Sequence, residues 1–281
     1  MKKQLILTAG GLIVVVCLFF FGRTVASKNK TIPVSQNPAK QFNISQFIQE
    51  TKTQLTPAQA ITISKLENSV TRGDVVAQQV KANTELANFW KDSIQSFEPY
   101  AFYLAEAAKL DKSEKNLTFA AQLFLDNLRG ETDEVKLDWK AEQAISLFQE
   151  AIAIDPNNDD LKVGLGSCYV FGKGRTGGPS ETMKGILQLL EVVRRDSTNM
   201  KAQLVLGVGG YVSGQYDKAI DRLQKVIKAE PGNLEAIAFL ADTYAAKGDK
   251  EEAVKWYTLS KKMANNPDYS REVDERIKQM R

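Results

Sequence analysis

The sequence predicts an all-α solenoid of stacked helix pairs preceded by a single transmembrane helix, and three observations lead there. Residues 200–233 and 234–267 align with each other at an offset of 34. Residues Leu5 to Gly22 carry no charge. Helix start signals followed by apolar positions at three- and four-residue spacing recur from Thr56 to the C-terminal stretch. A fixed period of this length means that each unit cannot bury its apolar face alone and must stack on the next.

Composition excludes several classes of function. The chain has 281 residues, 43% hydrophobic and 25% charged, as in ordinary folded proteins. All charges in the first 30 residues are basic (Lys2, Lys3, Arg23, Lys28, Lys30), so removing these five from the net +3 leaves residues 31–281 at about −2. A near-neutral soluble part lacks the field of a nucleic-acid binder, and no nucleic-acid partner is expected. Histidine is absent, which removes the commonest general base and the commonest metal ligand. Of the two cysteines, Cys17 falls in the apolar run and Cys168 in a helical segment, so neither a disulfide between them nor a Cys/His zinc site is expected.

After a short basic N-terminus (1–4), the uncharged run 5–22 spans ~27 Å as a helix, close to the hydrocarbon thickness of a bilayer. A cleaved signal peptide is the alternative, with small residues at Thr24-Val25-Ala26. The run is longer than a usual signal core and Arg23 intervenes, which favours an uncleaved anchor. A lipoprotein at Cys17 fits less well, because Val16 precedes it. The basic residues behind the run rival those in front, so charge does not settle orientation. The expectation is a signal anchor with its domain exported. Residues 23–41, rich in Lys, Asn, Ser and Pro, read as a flexible tether.

The repeats decide the fold. In 200–233, Leu206-Gly207 hold the seventh and eighth positions, with Ala219, Leu223, Val226 and Pro231 at the twentieth, twenty-fourth, twenty-seventh and thirty-second. In 234–267, Ile237, Leu240, Ala241, Tyr244, Ala253 and Tyr257 fill the corresponding slots; Asn265 replaces the proline, which arrives late as Pro267. This pattern resembles the tetratricopeptide-repeat (TPR) family: a Leu-Gly pair in helix A, a small residue near the start of helix B, a proline after it. The small residues let the two helices of a unit approach closely and the larger ones fill the seam between units.

Upstream, residues 141–156 form a helix B with Ala144, Phe148, Ala151 and Pro156 in register, and residues 117–128 its helix A, with about eleven extra residues between them. The next unit, from Asp159, has Leu165-Gly166 and Tyr169 in helix A and Gly185 and Leu189 in helix B, with about seven residues inserted. Both insertions are expected as enlarged surface turns. The repeat region is then 113–267, in units 113–157, 159–199, 200–233 and 234–267. Before it, 42–112 is an N-terminal helical region, with helices over 57–71, 74–97 and 99–110 and a possible degenerate repeat. After it, Tyr269, Val273, Ile277 and Met280 make one apolar stripe on an otherwise charged helix, a capping helix over 268–281.

Candidate chemistry is thin. Gly172 to Gly178 is glycine-rich and basic, but no strand precedes it and it falls in an inserted turn, so an ordinary or partner-touching loop is expected rather than a phosphate site. Gly207-Val208-Gly209-Gly210 lacks the third glycine of a dinucleotide fingerprint, since Val212 stands there. Asp159-Asp160 and Glu251-Glu252 sit at helix starts, where acids suit the helix dipole. Cys168 is expected as a buried thiol.

The resemblance implies a right-handed solenoid and a non-catalytic scaffold, holding protein partners in the concave groove lined by the A helices. No cofactor, metal or small-molecule substrate is expected. The groove positions are Val163, Ser167, Leu204, Val205, Val208, Tyr211, Ala238, Phe239 and Asp242, with Tyr211 and Phe239 as aromatic anchors. They cannot supply the lysine, asparagine and arginine clamp by which some TPR proteins grip acidic C-termini; an apolar or helical segment is the expected occupant. The alternative is that helices from 57–110 fill the groove from within. With its anchor in the lipid bilayer through 5–22, the chain is similar to bacterial envelope TPR proteins, implying the inner membrane with the repeats on the extracytoplasmic side. An accessory subunit of envelope assembly or cytochrome c maturation is the alternative function.

Overall fold

The computed structural model describes residues 41–72 and 75–280. The anchor expected over 5–22 lies outside the described residues, as does the tether over 23–41 except for Gln41. No helix among the described residues is long and apolar enough to cross a membrane.

The described residues form helices and connections, with no strand among them. An N-terminal group comprises α1 (Ile44–Lys52), α2 (Pro57–Arg72), α3 (Val76–Phe89, continued by a π-helical turn Trp90–Ile94) and α4 (Phe97–Asp111). Then come α5 (Glu114–Leu128) with α6 (Glu134–Ile154), and α7 (Asp159–Cys168) with α9 (Pro179–Arg195). Between those two lie a π-helical turn, Tyr169–Lys173, and the short α8, Gly174–Gly177. Two further pairs follow, α10 (Met200–Val212) with α11 (Tyr216–Ala229) and α12 (Leu234–Lys247) with α13 (Lys250–Ala264), closed by α14 (Pro267–Met280). From α2 onward each long helix packs on the next long helix, and α5, α7, α10 and α12 also pack on one another in order. These four A helices therefore share one layer.

Local chemistry explains the helix starts and stops. Asn199 and Asn233, 34 positions apart, accept hydrogen bonds from the amides of Ala202 and Ala236 at 2.9 Å in both cases. Asp133, Asn158 and Asp249 cap their helices in the same manner. Each such cap contributes about 1 kcal/mol by satisfying an otherwise orphan donor. Helix α12 stops at Gly248, whose φ of 89° lies in the left-handed region that glycine enters without strain. The Asp249 amide then bonds back to the Tyr244 carbonyl at 2.9 Å. Asn265, which replaces the repeat proline, ends α13 with φ 45°, a conformation that asparagine tolerates better than most residues.

Within the units the helices approach as the small residues allow. A Cβ at Gly185 would stand 2.6 Å from the Gly166 carbonyl oxygen, and one at Gly166 would meet the Leu189 side chain at 2.6 Å, so each glycine leaves room for the facing helix. Ala219, Ala241 and Ala253 are fully buried.

Both insertions differ from the enlarged turns expected of them. The eleven extra residues extend α6 at its N-terminal end, so the turn before it is only residues 129–133. The glycine-rich stretch from Gly172 to Gly177 is no open loop: helix A of the second unit continues through it as the π-turn and α8. The two extensions pack against each other. A Cβ at Gly172 would meet the Ala141 side chain at 2.5 Å, and Lys173 pairs with both Asp138 and Glu142 at 2.7 Å. An insertion whose backbone continues a helix satisfies its own hydrogen bonds, and one with an apolar face gains a surface to bury.

The α6 extension also joins the N-terminal group to the repeats. Trp139 packs against Phe42, with ring centroids 4.9 Å apart, and edge-on against Phe124 at 5.5 Å. Next to it, the Lys140 side chain is 3% exposed, its ammonium 2.5 Å from Glu131, 2.7 Å from Asn127 and 3.2 Å from Glu98. Burial pushes the Glu131 carboxyl upward in pKa, but the Lys140 bond and the amides of Asp133 and Thr132 outweigh it and hold the group below its usual value.

At the other end, α14 covers the last unit. Val273 is 1% exposed, with Tyr269, Ile277 and Met280 half-buried beside it. Arg276 reaches Asp242 of α12 at 2.7 Å and Lys261 reaches Asp274 at 2.6 Å.

Two predictions arise here. Substituting Val273 with Asp places an unpaired charge at a buried position and should cost about 3 kcal/mol or more, read as a lower thermal midpoint; an unchanged midpoint would show that α14 is not part of the folded body. Because Glu131 is held ionised in the folded state, its contribution is present above its ordinary pKa of 4.5 and is lost as the pH falls through the lower folded value. The gap in urea midpoint between the wild type and Glu131→Gln should therefore be wide at pH 7 and narrow below about pH 4.5.

Candidate functional site

The A-helix layer of α5, α7, α10 and α12 carries two adjoining chambers. The first, about 550 Å³, is lined by Val163, Ser167, Leu204 and Val205 together with Phe148, Asp126, Asp160 and Lys201. The second, about 730 Å³, is lined by Val208, Tyr211, Ala238 and Phe239 with Val170, Phe171, Arg175 and Tyr269. Arg129 and Glu235 belong to both walls. None of the lining residues comes from 42–112, so the upstream helices do not fill either chamber.

The wall between them is an ion pair. Arg129, one residue past the end of α5, meets Glu235 at the start of α12 at 2.6 Å, and its guanidinium lies 4.3 Å from the centre of the Phe171 ring. The first and last units of the solenoid are thus bridged across the groove. With side chains 49% and 28% exposed, the pair is worth no more than about 1 kcal/mol, enough to bias the bridge without locking it.

The larger chamber is apolar and its residues differ in accessibility. Tyr211 and Phe239 are half-buried with centroids 6.0 Å apart, and Ala238 beside them is half-buried too. Val208, by contrast, is 1% exposed and forms the floor, a core residue rather than an anchor. Burial, followed by the nearby Asp242 charge, raises the Tyr211 phenol pKa, so this ring is neutral and amphipathic at working pH.

Of the sequence-derived groove positions, Asp242 lines neither chamber. Its carboxylate accepts hydrogen bonds from the Tyr257 hydroxyl and from Arg276, tying α12 to α13 and α14. Burial and that carboxylate together raise the Tyr257 pKa, keeping the proton on the phenol. Ser167 lines the smaller chamber, but its hydroxyl donates to the Val163 carbonyl at 2.7 Å within its own helix. Cys168, one residue on, is fully buried, and burial pushes its thiol pKa up, away from reactivity.

Repeat alignment did not identify Arg129, Glu235, Phe171, Arg175 or Tyr269. Glu235 occupies the same repeat position as Lys201, which also faces the groove, so that register was a usable signal. Phe171 shares its repeat position with Val212, which lines the same chamber. Arg175, Arg129 and Tyr269 come from the insertion, a helix end and the cap, which have no counterpart in a regular repeat. Among the described residues no group of histidine, cysteine or carboxylate side chains is arranged to hold a metal.

Residues 213–271 match the family model of the tetratricopeptide repeat. No curated protein matches the sequence. Among solved structures, a thermophilic TPR protein of Thermus thermophilus is 16% identical, with a TM-score of 0.51 over 72% of this chain and 98% of that one. The 41-to-end portion of MamA from Desulfovibrio magneticus RS-1 is 18% identical, with a TM-score of 0.48 over 70% and 98%. At such identities the likeness concerns the fold. Residues 213–271 are therefore tetratricopeptide repeat, and the helical body of the chain has the TPR fold.

Proposed function

We propose that the protein is a membrane-tethered TPR scaffold that holds a segment of a partner protein in the concave groove. TPR proteins are typically non-catalytic interaction scaffolds, and the observation that carries the reading to this chain is the larger chamber. It offers about 730 Å³ walled by apolar side chains, with two half-buried aromatic rings free to gain contact area. Aromatic side chains of this kind bury large area at small entropic cost, which is why they dominate binding energies. A small-molecule catalyst would instead need convergent polar groups, whereas the charged residues of this chamber are Arg129 and Glu235, paired with each other, and Arg175.

The tether rests on the uncharged run 5–22. The resemblance to envelope TPR proteins, and not the flanking charge, is the ground for placing it in the inner membrane of a bacterium with the repeats on the extracytoplasmic side. The alternative function is an accessory subunit of envelope assembly or of cytochrome c maturation.

The test combines two measurements on the full-length chain in intact membranes. A photocrosslinker at Ala238 should capture partner protein, and Phe239→Lys should abolish that capture while shifting the thermal midpoint by only a few degrees, because a half-buried lysine can extend to solvent. Equal capture from an exposed outer position such as Lys228 would exclude the groove. Alkaline washing should leave the full-length protein with the membranes and release a chain lacking residues 1–30; release of both, without cleavage, would exclude the anchor.

A further inference from the structure

We infer that the segment held in the groove is linear and bipolar, with a carboxylate beside Arg175, apolar side chains in the larger chamber, and a cation beside Asp126. This rests on the groove being the partner site and specifies what that partner presents.

The charges around the two chambers do not cancel evenly. On the larger chamber stand two guanidinium groups, Arg129 and Arg175, against one carboxylate, Glu235. Arg129 and Glu235 neutralise each other at 2.6 Å. Arg175 has no carboxylate partner among the described residues: its Nη1 donates to the Leu128 carbonyl and its Nη2 to the Glu131 carbonyl, both at 2.9 Å. Carbonyl oxygens fix the position of a guanidinium without removing its charge, and three of its five N–H groups stay available. Arg175 is thus an exposed cation held still on the wall of an apolar chamber. Fixing the donor beforehand lowers the entropy lost when an anion binds.

The smaller chamber has the opposite excess. Lys201 stands 3.6 Å from Asp160, and Arg129 again answers Glu235, which leaves Asp126. Its Oδ1 accepts from the neutral Gln122 amide at 2.6 Å, so among the described residues its charge too is unmatched. A positive pole therefore lies on one side of the Arg129–Glu235 bridge and a negative pole on the other, with apolar walls between. A segment lying across the bridge is oriented by those poles. Matched charge contributes to specificity and direction more than to total affinity.

The full-length chain, held in phosphatidylcholine nanodiscs, should be used to select from a random displayed peptide library with free C-termini, with the Phe239→Lys protein selected in parallel. The expected pool is apolar with an acidic group toward one end and a basic group toward the other, and is lost in Phe239→Lys. Remaking a selected peptide with its acid as the amide should weaken binding to the wild type about tenfold at low salt, as for one charge-assisted hydrogen bond, and much less at high salt. Arg175→Gln should lose the acidic preference alone and Asp126→Asn the basic preference alone. Since Arg175→Gln also removes a helix-end contact, Arg175→Lys is the control that keeps the charge and should keep the preference. Remaking the peptide with an amidated C-terminus separates a terminal carboxylate, which would be lost, from a side-chain one. A groove-dependent pool that is apolar without charge bias overturns the inference and leaves the groove reading standing. A pool indifferent to Phe239→Lys overturns both.

Discussion

The ammonium of Lys140 is nearly sealed from solvent, and a charge so placed must be matched or the fold loses several kcal/mol. Its partners come from three places: Glu98 on α4, Asn127 near the end of α5, and Glu131 in the turn before α6. Asn127 and Glu131 belong to the α5–α6 hairpin that carries Lys140, whereas Glu98 reaches it only when α4 is docked. The cluster therefore acts as a condition on assembly more than as a source of net stability. It sets the register in which the N-terminal helices meet the first repeat, with the adjacent Trp139 supplying apolar contact.

The groove inherits its shape from the same region. Glu131, which answers Lys140, lies two residues after Arg129, which bridges to Glu235, and its own carbonyl accepts from Arg175. The short connection after α5 thus contacts the buried cluster on one side and the groove wall on the other. A regular repeat would place its helix-to-helix turn there with no such duties. The extra turns of α6 and the continuation of α7 give this connection something to lean on, and in doing so bring an arginine from an inserted segment to the wall of the larger chamber.

Much of the architecture could be read without coordinates because each repeat solves the same local problem. Asn199 and Asn233 cap equivalent helices, Gly207 and Ala241 take equivalent close-packing positions, and Val273 with Ile277 marks the face of the closing helix. Every position chosen for the groove except Asp242 lines one of the two chambers. Asp242 does not, because alignment places a residue on a helix face but cannot say whether a neighbouring arginine has already engaged it. Val208 faces the chamber yet is sealed, a distinction of depth that periodicity does not carry.

What the sequence by itself determined is whatever depends on local spacing: helical pairs at a period of 34, their caps, the small residues at crossings, an apolar N-terminal run, and the absence of histidine that excludes much catalysis. What only the tertiary structure decided is whatever depends on residues far apart in the chain meeting in space. The two insertions looked like loops because neither has a partner in its own repeat; each is helical because the other covers it, Gly172 against Ala141 and Lys173 between Asp138 and Glu142. The bridge from Arg129 to Glu235 joins two residues more than a hundred positions apart, one from the first unit and one from the last. Local pattern specifies each unit, whereas curvature is a sum over all the interfaces between units, and no single stretch of sequence contains that sum.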